Sequence, residues 1–407
     1  MVDGTSSKKF RTLSWLWGPA FVASVAYVDP GNVAANLTSG AKFGYRLVWV
    51  LVLANMVAML VQYLSAKLGL VTGQSLTQII GRRMKPTTRM AYLIQAEIIA
   101  ITTDLAEVVG GAIALEILFG VPLLLGGVIV GAVSLGLLIM QARYGQRRFE
   151  HVIIGLLVII TIGFIAGLFV SGVHWSEAVK GLVPSFDGTE SILLAASMLG
   201  ATVMPHAIYV HSSLTVDRHG SIATNAMAPA LRSTRTEVLV SLVIAGGVNV
   251  AMLILAASAL QGVPDTDTIQ GAHSAIESNL GPVIATLFAV GLLASGLASS
   301  SVGAHAGITI MKGMVTRQIP LIVMRLITLA PALLILGLGV NPTWALIFSQ
   351  VVLSFGIPFA LIPLVVISSG RDMGQYKNPL PLTVVSWLAV GAIVILNLLL
   401  IVLIFAG

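Results

Sequence analysis

Long apolar runs, each long enough to cross a bilayer, alternate along this chain with short polar, basic or glycine-containing joints. A window of about 20 residues resolves eleven such runs, at 14–38, 46–69, 90–118, 122–140, 151–172, 191–215, 236–261, 282–311, 319–339, 343–369 and 381–405. Each is expected to be a helix, because a segment in lipid must satisfy its backbone polar groups internally. "FGVPLLLGG" at 119–127 is expected to be a tight turn between spans three and four. "GLGVNPTW" at 337–344 separates spans nine and ten, and the small-residue tract "GLLASGLASSSVGAHAG" at 291–307 predicts a kink in span eight.

Composition fits this pattern. Hydrophobic residues make up 57% of the 407 and charged residues only 9%, whereas soluble domains carry about a quarter charged. The chain has no cysteine, which excludes disulfides, thiolate metal sites and cysteine nucleophiles. The formal charge of +6 is distributed by side. With a cytoplasmic N-terminus, Lys8, Lys9 and Arg11 and the basic residues of 82–89, 143–148, 218–235, 312–317 and 371–377 all fall inside. Only Lys42, Arg46 and Lys180 fall outside, which supports the register and places the C-terminus outside. The basic excess therefore reports topology, and no nucleic-acid partner is expected. The outer loops carry Glu177, Asp187, Glu190, Asp265, Asp267 and Glu277, a surface that mildly enriches cations. The basic lead before the first run has no small-residue cleavage site, so the run is expected to be retained rather than removed as a signal peptide.

Only a few spans contain helix-breaking residues at mid-membrane depth, and spans one and six form the matching pair. Span one reads "DPGN" from Asp29 to Asn32, and span six reads "MPH" from Met204 to His206. Breaks in corresponding positions five spans apart point to an inverted-repeat transporter, with spans one to five (14–172) and six to ten (191–369) as related halves and span eleven (381–405) added outside them. A break frees carbonyls that, with the negative end of the first half-helix, face a cation. Asp29 adds a carboxylate, Asn32 an amide oxygen and Met204 a thioether, and Pro205 frees the carbonyl of Ala201. Sodium, magnesium and calcium prefer shells made only of oxygen, whereas a sulfur donor favours softer first-row metals, so the expected cargo is Mn²⁺ or Fe²⁺. Taken singly, Met204 reads as packing and Pro205 as a kink; an intramembrane acid is functional by default.

At these residues the chain resembles the Nramp family of divalent metal/proton symporters, bacterial manganese transporters included. The resemblance runs from "WGPAFVASVAYVDPGN" to span eleven, with "DPGN" and "MPH" as its specific motifs and "GQSL" at 73–76 in support. It implies the LeuT-type fold of two inverted five-helix repeats, here with one extra helix. It also implies metal ligation by Asp29, Asn32 and Met204, with the Ala26 carbonyl in one state and the Ala201 carbonyl in another. Asn55 and Asn249 match polar positions near the permeation path, and Gln350 reaches the metal in an occluded state. Two departures bear on metal preference and gating: Ala207 stands where many relatives carry asparagine, and "GAHAGI" at 303–308 replaces "GTYAGQ". A magnesium- or aluminium-handling branch lacks the methionine, so Met204 favours transition metals.

Glu97, Asp104 and Glu107 in span three share one helical face, a costly arrangement in lipid that calls for a cation, a proton or water. Arg325 is the basic residue that the topology buries deeply, and is the expected partner. His206 is placed to accept a proton or to shape the vestibule. His211, five residues on, falls on a different stripe, so the pair is not expected to form one metal site. The resemblance casts Asp29, His206, Glu107, Asp104 and Arg325 as a proton pathway that Glu97 continues. Metal and proton compete for Asp29, which gives coupling a physical basis. The alternatives are a static ion-pair network for the acids and a packing role for His211.

The competing function is sodium-coupled amino-acid transport on the same fold, which suits a bare cation site less well. Neither H-E-x-x-H nor a G-x-S-x-G elbow occurs, so an enzyme is not expected. No permanently bound cofactor and no obligatory protein partner are expected; the transported metal, protons and the bilayer are the partners. Short loops predict a bacterial plasma membrane.

Overall fold

The computed structural model describes residues 18–220, 222–315 and 319–406. The basic lead Lys8–Arg11, the start of span one before Gly18 and Arg317 lie outside the described residues. Every described element is helical. Span one is α1 (Pro19–Val25), a 3-10 turn (Ala26–Val28) and α2 (Pro30–Phe43); span two is α3 (Val48–Thr72). The short α4 (Leu76–Arg83) leads to α5 (Pro86–Phe119), α6 (Leu123–Tyr144) and α7 (Gln146–Ile165), which are spans three to five. After the surface helix α8 (Trp175–Lys180), span six is α9 (Gly188–Thr202) and α10 (Pro205–His219), and span seven is α11 (Thr224–Ala259). Helix α12 (Ile269–Leu280) is a connector. Then α13 (Pro282–Met314), α14 (Leu321–Gly337), α15 (Pro342–Ser368) and α16 (Leu380–Ala406) complete spans eight to eleven. Among the described residues nine helical stretches are long and apolar enough to cross a membrane, the first half of span one (19–28) and span nine (321–337) being shorter.

Local chemistry explains the joints. The "GQSL" segment is a stop and a start: Gly73 closes α3 at φ 63°, a left-handed conformation suited to glycine, and Ser75 with Gln78 forms a reciprocal capping box on α4. The expected turn between spans three and four contracts to Gly120–Pro122, and Gly339 at φ 69° separates α14 from α15.

The small-residue tract does not kink α13; the helix runs unbroken from Pro282 to Met314. Its glycines instead allow close approach to α5. A methyl group on Gly296 would lie 2.7 Å from the Gly111 Cα, and one on Gly303 would lie 2.5 Å from a Glu107 carboxylate oxygen. Membrane helices pack through such small residues because lipid supplies no hydrophobic drive between them. The breaks fall at the start of the two motifs, and the prolines behind them are helical. Pro30, Gly31 and Asn32 are the first turn of α2, and Pro205 is the first residue of α10. Proline is at home at a helix start, where its missing N–H costs nothing. The chain leaves helical geometry just upstream, at Asp29 (ψ 165°) and at Val203–Met204 (ψ 79° and 126°).

Candidate metal site and buried polar chain

Asp29 is the N-cap of α2. Its carboxylate accepts the backbone N–H of Asn32 at 2.9 Å and of Gly31 at 3.3 Å, and also the Asn32 side-chain amide. The positive end of α2 thus faces a buried acid, which explains why Asp29 is tolerated at full burial. The Asn32 Nδ2 also donates to the Ala201 carbonyl at 3.1 Å, and Thr202 Oγ1 donates to Asn32 Oδ1 at 3.4 Å. One amide therefore joins the broken end of α2 to the broken end of α9. Met204 caps α10 at full burial and belongs to the same apolar cluster as Ala26, Tyr27 and Val28. Ala26 opens the 3-10 turn, whose next two carbonyls are taken by side chains: Asn249 Nδ2 donates to Tyr27 at 2.7 Å, and Ser295 Oγ donates to Val28.

Gln350 of α15 reaches this centre from the side. A methyl group on Gly31 would lie 1.8 Å from Gln350 Nε2 and 3.0 Å from Asp29 Oδ2, so glycine is what lets all three groups meet. Both amide atoms of Gln350 are buried without a hydrogen-bond partner among the described residues. They are therefore polar capacity held in reserve at the site. Gly31 and Gln350 line one end of a 410 Å³ cavity whose other end carries Lys42, Glu190 and Asp267. Ion pairs Lys42–Glu190 (2.5 Å), Arg46–Asp187 (2.7 Å) and Lys180–Glu177 (2.7 Å) neutralise much of the acidic face expected there.

Farther along α2, between Gly31 and Lys42, Asn36 donates to Asn249 at 2.8 Å. The opposite end of the site is closed by side chains: Gln62 donates to the Tyr27 hydroxyl at 2.6 Å, and His211 Nδ1 meets Gln62 Oε1 at 2.7 Å. His211 thus belongs to the closure, apart from His206, which approaches Thr103 of α5 at 3.3 Å. Asn55 packs against Gly246 on α11 and is not among the residues lining the cavity. Farther toward the basic end, Glu237 of α11 accepts the Ala20 N–H at 3.0 Å and so caps α1.

The acids of α5 lie beside these groups. Asp104 forms a fully buried ion pair with Arg325 of α14 and accepts Ser300 Oγ at 2.9 Å. Arg325 also donates to Ser134 at 2.6 Å, Ser300 at 3.0 Å and Thr328 at 3.1 Å. Glu107 has Asp104, Asp29 and Arg325 within Coulombic reach, yet neither of its buried carboxylate oxygens has a hydrogen-bond partner among the described residues. The same holds for Glu97 and for His206 Nε2. A static network would satisfy its members; here the acids flanking the Asp104–Arg325 pair have unused capacity.

Sequence reasoning missed Tyr27, Gln62, Asn36, Ser134, Ser300 and Glu237. Asn36 was legible, four residues after Asn32 on one face of α2. A glutamine or a glutamate within an apolar run, such as Gln62 or Glu237, also stands out. The serines carry no such signal.

The natural resistance-associated macrophage protein-like (Nramp) profile matches residues 20–403. The divalent metal cation transporter MntH of Mycobacterium tuberculosis H37Rv is 56% identical, over 98% of this chain and 93% of its own length. That of Bacillus subtilis is 45% identical, over 97% and 93%. Among solved structures, the Eremococcus coleocola manganese transporter, in complex with an aromatic bis-isothiourea substituted compound, superposes with a TM-score of 0.87 at 30% identity, covering 98% of this chain and 88% of that one. Mhp1, a nucleobase-cation-symport-1 family transporter, superposes at 0.64 with 13% identity, covering 96% and 90%, a likeness of fold alone. With the profile matching nearly the whole length and relatives this similar end to end, the chain is an all-α polytopic membrane protein of the LeuT-type fold, and it belongs to the Nramp family.

Proposed function

We propose that the chain imports divalent transition-metal ions, Mn²⁺ and with it Fe²⁺, across the plasma membrane, coupled to protons and by alternating access. The observation that carries this reading is the convergence of Asp29, Asn32 and the Ala201 carbonyl between two broken helices. A half-turn of the Asn32 amide exchanges its NH₂ for its oxygen. Carboxylate, amide and carbonyl oxygens would then face one shared volume, suited to a cation that sheds its water. Met204 would add the sulfur that favours Mn²⁺ over Ca²⁺ or Mg²⁺. Gln350 would complete the shell as the cavity closes, and the Ala26 carbonyl would replace that of Ala201 once the other side opens. The manganese and divalent metal cation transport named for the relatives agrees with this donor set.

The proton route in this reading runs from Asp29 through His206 and Glu107 to the Asp104–Arg325 pair and on to Glu97. A metal arriving at Asp29 displaces its proton, because one carboxylate does not hold both cations well. The Glu107 oxygens and His206 Nε2, without hydrogen-bond partners among the described residues, would take it up. The two halves would be 14–172 and 191–369, with 381–405 outside the repeat. The N-terminus would be cytoplasmic, the C-terminus outside, and the 410 Å³ cavity an outer vestibule. His211 and Gln62 would belong to the inner closure, and Asn249 would tie it to Asn36 on the outer part of α2.

The test is Mn²⁺-dependent proton uptake into proteoliposomes, with Ca²⁺ as control. Lumen acidification by Mn²⁺ and not by Ca²⁺ is the expected result. Sodium-driven amino-acid uptake without Mn²⁺-linked acidification would replace this reading with its rival.

A further inference from the structure

A second cavity, of 500 Å³, opens between α3, α11 and the start of α16, at the basic end of the molecule. Its walls carry Lys67, Arg235 and Tyr63 among apolar side chains such as Leu60, Leu239 and Leu382. Lys67 is only 5% exposed, and among the described residues its ammonium donates to one neutral partner, Asn378 Oδ1 at 2.7 Å. Asn378 is itself held by Ser368 at the end of α15, at 2.9 Å. Neither Lys67 nor Arg235 has a carboxylate within ion-pair distance among the described residues. A buried lysine without a counter-charge is costly, and buried cations are ordinarily paired. Here two unpaired cations share one cavity with a tyrosine, and the other walls are hydrocarbon. Leu239, on its rim, is half exposed toward the region where lipid would lie.

We infer that this cavity is a binding site for an anionic phospholipid. The phosphate sits between Lys67 and Arg235 with the Tyr63 hydroxyl nearby, and the acyl chains run along Leu60, Leu239 and Leu382. The shared chemistry is a phosphate anion; the apolar walls assign it to a lipid rather than to free phosphate. Basic pockets between spans at the cytoplasmic side are suited to anionic head groups. The site joins the span outside the proposed repeat to α3 and α11, so bound lipid bridges parts that Lys67 and Asn378 connect by one hydrogen bond. This inference does not depend on the cargo.

Native mass spectrometry of the purified full chain tests it, with phosphatidylglycerol, phosphatidylcholine and inorganic phosphate as separate probes. Phosphatidylglycerol is expected to be retained over phosphatidylcholine, and exposed Arg235→Gln is expected to reduce that preference about fivefold. Lys67→Gln should reduce it similarly and Lys67→Arg should keep it, with size-exclusion profiles reporting folding. Arg143→Gln, on the distant α6, should change nothing. Equal retention of the two lipids, an equal loss in Arg143→Gln, or occupancy by inorganic phosphate that displaces phosphatidylglycerol would each overturn the proposal.

Discussion

The Asn32 side-chain amide donates to the Ala201 carbonyl at 3.1 Å, linking residues 169 positions apart across the gap between two broken helices. Each helix breaks where its next turn begins with a proline, and this amide ties one break to the other.

Asn32→Ala removes the group on which both breaks converge. Mn²⁺ uptake is expected to fall about tenfold or more, as losing a buried partner of roughly 1–3 kcal/mol implies. Asp29→Ala should abolish high-affinity uptake and also cost about 1 kcal/mol of stability as a lost helix cap. Isothermal titration with Mn²⁺ and thermal unfolding separate the two effects.

Gly31→Ala places a methyl group 1.8 Å from Gln350 Nε2, so the glutamine must move. Uptake is expected to fall severalfold with the fold intact. Combining it with Gln350→Ala should cost less than the two single losses added, since both act on one contact. A double-mutant cycle on uptake rates measures the difference.

Met204→Ala deletes the sulfur. Discrimination of Mn²⁺ against Ca²⁺ should weaken more than uptake itself, because oxygen donors remain for the harder ion. The buried truncation also costs about 2–5 kcal/mol of stability. Met204→Leu, which keeps the volume, should lose selectivity with a smaller stability loss. Competition of Ca²⁺ with Mn²⁺ in proteoliposomes reads the effect.

Asp104→Asn keeps the hydrogen bond with Ser300 and removes the charge facing Arg325. Mn²⁺ transport should persist while Mn²⁺-linked proton flux drops. Arg325→Met strands a buried carboxylate and is expected to destabilise by about 3–5 kcal/mol. Intact proton coupling in Asp104→Asn would remove this pair from the route.

Glu237→Ala uncaps α1 and should loosen its start. The chain has no cysteine, so one introduced at Ala20 is a clean reporter. Maleimide labelling there is expected to rise severalfold in Glu237→Ala, and labelling unchanged from the parent would deny the cap this role.

The chain's own sequence determined which segments are helices, where two of them break, and which residues carry oxygen and sulfur to the breaks. Those are local properties: an apolar run in lipid can only be a helix, and at Pro30 and Pro205 a proline stands where a new helix begins, whereas Pro331, Pro358 and Pro363 stay inside theirs. It also put the three acids of α5 on one face and left Arg325 as the cation to meet them. Tertiary structure decided which groups touch. Asp29 is a cap because the first turn of α2 points its N–H groups at it. Gln350 reaches the centre because Gly31 lacks a side chain. The tract expected to kink α13 instead serves as a flat face for α5, since a glycine in a helix yields either a bend or a close approach, and only the neighbouring helix selects between them. Tyr27 and the serines around Arg325 were illegible for the same reason: a small or aromatic polar side chain in a membrane acquires its meaning from a partner on another helix, such as Gln62 for Tyr27 or Arg325 for Ser134 and Ser300.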